Sequence, residues 1–116
     1  MNMTQTVNWE AALEYVGGDE HLLREVLRVF LEECPRWLAE LDRNHHANDA
    51  AGVQRAAHKF KGALRNFGAE HAGAAAAQIE AAGKSGALTD VDSLITTLKQ
   101  ELERVLPAVR DKAGRP

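Results

Sequence analysis

Apolar residues recur at intervals of three and four along almost the whole chain, which is the spacing of one face of an α-helix. Alternating runs of β-branched residues, which would indicate strands, are missing from the sequence. The pattern predicts a short first helix and four longer ones. Their expected bounds are residues 8–16, 20–44, from a cap at 48 or 49 to 67, 70–82, and from 90 onward.

The segments between these helices carry the residues that commonly begin and end helices. Gly17 and Gly18 interrupt the first helix, and Asp19 is a good N-cap for the second. Residues 44–49 and 83–90 are predicted to be a turn and a loop. Pro35 is expected to kink the second helix, and Pro107 to kink or fray the last one.

Short connections make successive helices antiparallel neighbours. The predicted fold is therefore all-α, an antiparallel up-down four-helix bundle with a short additional N-terminal helix as a lid on one end. The alanine-rich fourth helix is expected to pack tightly against a neighbour. With no internal repeat and no linker, we predict one domain over residues 1–116, with a structured core of about 8–111 and flexible ends that include residues 112–116.

The formal net charge of −3 argues against a dedicated nucleic-acid binder, for which a basic excess is expected. The single cysteine, Cys34, precludes an intrachain disulfide, and its apolar position predicts that it is buried. The sequence shows neither an apolar run long enough to span a bilayer nor the layout of a signal peptide at its start. The expected location is the cytoplasm, without membrane association.

Gly62 is unexpected, because glycine inside a helix costs about 1 kcal/mol relative to alanine. On a helical wheel centred on Phe60, the core face holds Val53, Ala56, Ala57, Leu64 and Phe67. His58 falls at about 160°, Ala51 at about 180° and Gly62 at about 200°, all on the solvent face. Glycine there leaves room beside an exposed imidazole, although packing between helices is an alternative reason for it.

No acidic residue occurs between positions 50 and 69, although the chain is acidic overall. Arg55, Lys59, Lys61 and Arg65 therefore form a basic frame around His58. A frame of this kind suits an added anion or a partner with an acidic site. Taken alone, the exposed histidine and the basic residues each have a simpler explanation, which is that they are ordinary solvated side chains without a function. The residues predicted to contact a partner are Ala51, Gln54, Arg55, Lys59 and Arg65, and Lys61 belongs to the same basic face.

The segment AHKFKGALRNFGA, residues 57–69, resembles the signature of histidine-containing phosphotransfer (HPt) domains, His-x-x-Lys-Gly with a further glycine six residues on. His58, Lys61, Gly62 and Gly68 match it. The segments FLEECPRWLAEL and GGDEHLLREVLRVF also resemble the second helix of this family and its entry. The resemblance extends over about residues 9–105.

The resemblance implies a carrier in multistep phosphorelays. His58 would accept a phosphoryl group from a receiver-domain aspartate and pass it to another receiver domain. Lys61 would stabilise the phosphoryl charge, and Gly62 would leave space for the aspartate of the receiver. The expected partners are receiver domains of response regulators or hybrid kinases. The receiver would carry Mg²⁺, so the chain itself, expected to be a monomer, would need no metal or other cofactor.

The sequence departs from the family at one position. Many members have a glutamine on the next helix that bonds near the histidine, and the matching position here is Glu80, with Gln78 two residues earlier. A carboxylate would accept the imidazole proton but would also repel a bound phosphoryl group. Glu80 and Gln78 are the candidates for this supporting role.

Two other function classes remain open from the sequence. One is a bundle that only binds other proteins, including receivers, without phosphotransfer. The other is a haem- or metal-binding bundle, which the solvent-facing position of His58 disfavours, because bundle cofactors lie in the core. No nucleotide-binding glycine loop is present, so we expect neither ATP binding nor autonomous kinase activity.

Overall fold

The computed structural model describes residues 7–114, which contain five α-helices and no strand. The all-α prediction and the order of the helices are confirmed. The predicted flexible ends at residues 1–6 and 115–116 lie outside the described residues. The helices are α1 (Trp9–Tyr15), α2 (Glu20–His46), α3 (Ala50–Asn66), α4 (Glu70–Ser85) and α5 (Val91–Gly114).

The first three helices begin where a side-chain oxygen satisfies a free backbone N–H of the first turn. Asn8, Asp19 and Asp49 each accept a hydrogen bond from the backbone N–H three residues later, at 3.1, 3.0 and 2.9 Å. After α3, Gly68 adopts a φ of 72°, a conformation that glycine tolerates best. The predicted caps at Asp19 and Asp49 and the predicted helix-ending glycine are confirmed.

Two predicted connections are shorter than expected. α2 continues to His46, so the turn before α3 holds only three residues, 47–49, rather than 44–49. α4 continues through Gly83 to Ser85, so the predicted loop loses its first three residues. Gly83 is buried in the structure, and this packing retains it in the helix despite its low helix propensity.

The prediction that residues 112–114 are disordered was wrong. The helix passes through Pro107 and continues to Gly114, so residues 112–114 are helical rather than disordered. A proline within a helix removes one backbone hydrogen bond. Val109 and Ala113 lie beyond it and are both buried, and their burial in the core offsets that loss.

The four long helices form a ring in which α3 contacts α2 and α4, and α5 contacts the same two helices. α1 packs on α2 and α3, and the backbone N–H of Asn8 donates to the carbonyl of Gly68 at 3.1 Å. The predicted bundle with an N-terminal lid is confirmed. α3 and α5 lie diagonally opposite each other.

The α2–α3 contact is built around aromatic side chains. Phe30 packs edge-on against Phe67 with ring centroids 5.1 Å apart, and Trp37 does the same against Phe60 at 5.4 Å. The predicted core face of α3 is buried throughout, as is Cys34. Because this face of α3 is buried, the opposite face, which carries His58, must point to solvent.

The α3–α4 contact relies on small residues. A Cβ atom on Gly83 would lie 2.7 Å from the backbone nitrogen of Gln54 and 2.8 Å from the carbonyl oxygen of Ala50. Ala72, Ala75 and Ala76 of α4 are also buried. α4 therefore packs tightly against a neighbour, as predicted, and that neighbour is α3.

Replacing Gly83 with alanine should destabilise the protein, because the new methyl group meets backbone atoms of α3 that cannot rotate away. Overpacking of this kind costs about 1–3 kcal/mol. The measurement is the free energy of unfolding in urea.

Gly62→Ala is the matched control. It is the same substitution inside a helix, at a position where the added Cβ would meet no described heavy atom within 4 Å other than those of its chain neighbours and the nearby backbone of α3. This variant should be more stable than the wild type by up to about 1 kcal/mol. Equal gains in both variants would contradict the close α3–α4 contact.

Candidate functional site

His58 points outward from the middle of α3, with 66% of its side chain exposed. Its solvent-facing position was predicted correctly. Nδ1 of His58 lies 2.7 Å from Oε2 of Glu80, which projects from α4. An ionised carboxylate only accepts hydrogen bonds, so this contact assigns the ring proton to Nδ1. The lone pair of Nε2 is then available at the exposed edge of the imidazole.

Glu80 also holds Lys61. The ammonium of Lys61 lies 2.6 Å from Oε1, so the two oxygens of one carboxylate engage two neighbouring side chains of α3. Glu80 is only 17% exposed and Lys61 25%. The hydrogen bond from Lys61 lowers the pKa of Glu80, burial opposes this effect, and the hydrogen bond from His58 adds to it. Glu80 is therefore ionised at neutral pH.

The two candidates on α4 differ in position. Glu80 contacts His58, whereas the side chain of Gln78 is exposed and forms no hydrogen bond within residues 7–114. Residues two apart on a helix do not share a face, so Gln78 cannot stand in for Glu80 at this site.

Gly62 follows His58 by one turn and is exposed. Within the described residues, and apart from its two chain neighbours and the nearby backbone of α3 itself, no heavy atom lies within 4 Å of the position that its Cβ would occupy. Packing between helices therefore does not require glycine here. The missing side chain leaves open space on the surface beside the imidazole.

Four of the five predicted partner-contacting residues lie together beside His58. They line a surface depression whose walls are Ala51, Gln54, Arg55, His58, Lys59 and Glu80. Arg65, the fifth, lines an adjoining depression between α3 and α4, on the other side of Glu80.

The basic frame predicted from α3 alone is partly neutralised by the neighbouring helices. Lys59 forms an ion pair with Glu40 of α2 at 2.7 Å, and Lys61 pairs with Glu80 of α4. The hydrogen bond from Lys59 lowers the pKa of Glu40. Glu40 was not predicted from the sequence, because nothing in the spacing of α2 indicates which of its residues faces Lys59.

Arg55 and Arg65 differ from the two lysines, since neither forms an ion pair within residues 7–114. Both are exposed. Among the predicted cations of α3, these two arginines therefore present charge that is free to meet a partner.

In the described part of the chain, no three histidine, cysteine or acidic residues are grouped so as to hold a metal ion. No helix between residues 7 and 114 is long and apolar enough to cross a membrane.

Comparison with known proteins identifies relatives of this chain. The family described as the Hpt domain matches residues 25–108. The phosphorelay intermediate protein rdeA of Dictyostelium discoideum is 26% identical over 108 residues, which make up 93% of this chain and 42% of rdeA. The chain thus spans less than half the length of this curated relative.

Two crystal structures have similar folds. Histidine-containing phosphotransfer protein B (HptB) from Pseudomonas aeruginosa PAO1 superposes with a TM-score of 0.88 at 21% identity, covering 97% of this chain and 98% of HptB. The HPT domain of the Hpt sensor hybrid histidine kinase from Shewanella gives a TM-score of 0.80 at 27% identity, with 91% and 92% of the two chains covered.

The pH dependence of stability tests the state of Glu80. Because the folded protein lowers the pKa of Glu80 below its ordinary value of 4.5, the ionised carboxylate stabilises the fold above that pH. This stabilisation is lost as the pH falls through the lowered pKa. Glu80→Gln should reduce the free energy of unfolding by about 1 kcal/mol at neutral pH, and the deficit should disappear in acid.

Urea denaturation of both proteins across this pH range measures the difference. Glu103→Gln is the control, because Glu103 is exposed and has no ion pair within residues 7–114. It should show no such pH-dependent deficit. A Glu80→Gln deficit that persists unchanged in acid would contradict the ion pair.

Proposed function

Because the chain belongs to the Hpt domain family, we propose that it is a phosphorelay carrier in two-component signalling and that His58 accepts the phosphoryl group. The donor is the aspartyl phosphate of one receiver domain, and the acceptor is the aspartate of another. The observation that carries the proposal is the hydrogen bond between His58 and Glu80, which leaves Nε2 as a free, exposed nucleophile.

In the transfer step, the lone pair of Nε2 attacks phosphorus. An N–P bond forms as the bond between phosphorus and the aspartate oxygen breaks, and the aspartate leaves as a carboxylate. The imidazole gains positive charge as the new bond forms. Glu80, hydrogen-bonded to Nδ1, stabilises that charge and holds the ring in one orientation.

A carboxylate at this position is compatible with a phosphoryl group because of its placement and its partner. Glu80 contacts the Nδ1 edge of the ring, and the phosphoryl group binds at Nε2 on the other side. Lys61 neutralises the carboxylate at 2.6 Å. The ammonium has three N–H donors, so Lys61 supplies further donors to a phosphoryl oxygen while it retains Glu80.

The partner supplies what this site lacks. The site contributes a nucleophile and cations, and we propose that the receiver domain brings Mg²⁺ and the acidic residues that bind it. Phosphoryl transfer depends mainly on positioning and charge stabilisation, which two docked surfaces provide together. The open surface at Gly62 admits the aspartate of the receiver close to His58.

His58→Gln should abolish phosphorylation without unfolding the bundle, because the side chain is exposed. Purified protein is mixed with phosphorylated receiver domains and Mg²⁺, and the label on each protein is followed. The wild type should gain acid-labile label and the variant none. Helix content by circular dichroism should be equal in both.

His71→Gln, at another exposed histidine, serves as the control and should be labelled normally. Label retained in His58→Gln would rule out His58 as the acceptor. A wild-type protein that binds a phosphorylated receiver yet gains no label would instead indicate a module that only binds receivers.

Gly62→Gln should slow transfer without loss of stability. The added side chain occupies the space beside His58, and displacing a reacting group by about 1 Å costs up to about a hundredfold in rate. We expect a decrease of at least about tenfold in the transfer rate, with a smaller effect for Gly62→Ala.

Ala74→Gln adds the same side chain at an exposed position of α4 that does not line the depressions around His58. Its transfer rate should match the wild type. A normal rate in Gly62→Gln would refute the role assigned to the open surface.

A further inference from the structure

Cations without an ion pair are not distributed evenly over this acidic protein. Away from His58, most of the lysines and arginines in residues 7–114 form ion pairs with carboxylates of the same chain. Lys99 pairs with Asp42, and Lys112 pairs with Glu20. Across residues 7–114, the lysines and arginines without an ion pair to a carboxylate are Arg43, Arg55, Arg65, Lys84 and Arg110.

Four of these five line the two depressions that adjoin the one beside His58. Arg43 and Arg55 line a depression between α2 and α3. Arg65 and Lys84 line the depression between α3 and α4 that also includes Glu80. All four are exposed. We call these four residues the basic rim.

The lysines closest to His58 do not add to this field. Lys59 is compensated by Glu40 and Lys61 by Glu80, so each pair carries no net charge. The cations near His58 that no carboxylate neutralises are therefore those of the basic rim, on both sides of the histidine. Exposed charges of one sign beside a binding site attract an oppositely charged partner and raise its association rate.

We propose that the basic rim is a two-sided electrostatic docking surface for a receiver domain that presents acidic side chains on both sides of its phosphorylated aspartate. This inference rests on the proposed function. Arg43 and Lys84 belong to this surface although neither lies on the helix that carries His58. Receivers that are acidic on only one side would associate more slowly.

The test measures the association of the full chain with a receiver domain that binds the wild type, by stopped-flow fluorescence at low and high salt. Four variants reverse one rim charge each: Arg43→Glu, Arg55→Glu, Arg65→Glu and Lys84→Glu. Each should lower the association rate constant about tenfold at low salt. The loss should shrink at about 1 M salt, where the screening length falls to roughly 3 Å, and dissociation should change little.

Arg110→Glu is the matched control. Arg110 is also exposed and also lacks an ion pair within residues 7–114, but it lies on α5, diagonally across the bundle from α3. Its reversal changes the net charge equally and should alter association less than about twofold. An equal loss in Arg110→Glu would show that only net charge matters and would overturn the proposal.

Losses confined to one side of His58 would overturn the two-sided arrangement, as would losses that do not depend on salt. The same association rates measured in a His58→Gln background separate docking from chemistry. Slower association of the rim variants with no label on the wild type would support docking and refute phosphotransfer. Normal association of the rim variants with labelling of the wild type would do the reverse.

Discussion

The close contact between α3 and α4 is the constraint on which the site depends. Gly83 allows the backbones to approach so closely that a methyl group would not fit between them. This approach brings a carboxylate of α4 within hydrogen-bonding distance of two side chains of α3. A wider separation would leave His58 as an ordinary solvated histidine and Lys61 as an ordinary surface lysine.

In the proposed transfer, Glu80 meets two opposing requirements. A nucleophilic imidazole benefits from a hydrogen-bond acceptor at one nitrogen, whereas an arriving phosphoryl group benefits from positive surroundings. Lys61 cancels the charge of Glu80, and the hydrogen bond from Lys61 lowers the pKa of this carboxyl group, which is ionised at neutral pH. The negative charge of Glu80 therefore acts at Nδ1 of His58, while the proposed attraction of a partner is assigned to the unpaired cations of the basic rim.

The two glycines of the α3–α4 region have opposite surroundings. Gly83 lies at the contact between the helices, where any side chain would clash with backbone. Gly62 faces open space and has no packing role among the described residues, so its cost to the helix remains uncompensated within the fold. A loss of helix stability from glycine at an exposed position is expected where the surface must admit a partner.

The sequence by itself determined the helical class, the bundle and the outward direction of His58, because helix periodicity and capping are local properties. It also placed Gly62 beside His58, since both lie on one helix. Only the tertiary structure decided where α5 ends, because burial beyond Pro107 outweighs a local break. The tertiary structure likewise decided which cations of α3 remain without an ion pair, because the carboxylates that neutralise its lysines come from α2 and α4. Contacts between helices depend on how the helices pack, and the spacing of residues along one helix does not encode this packing.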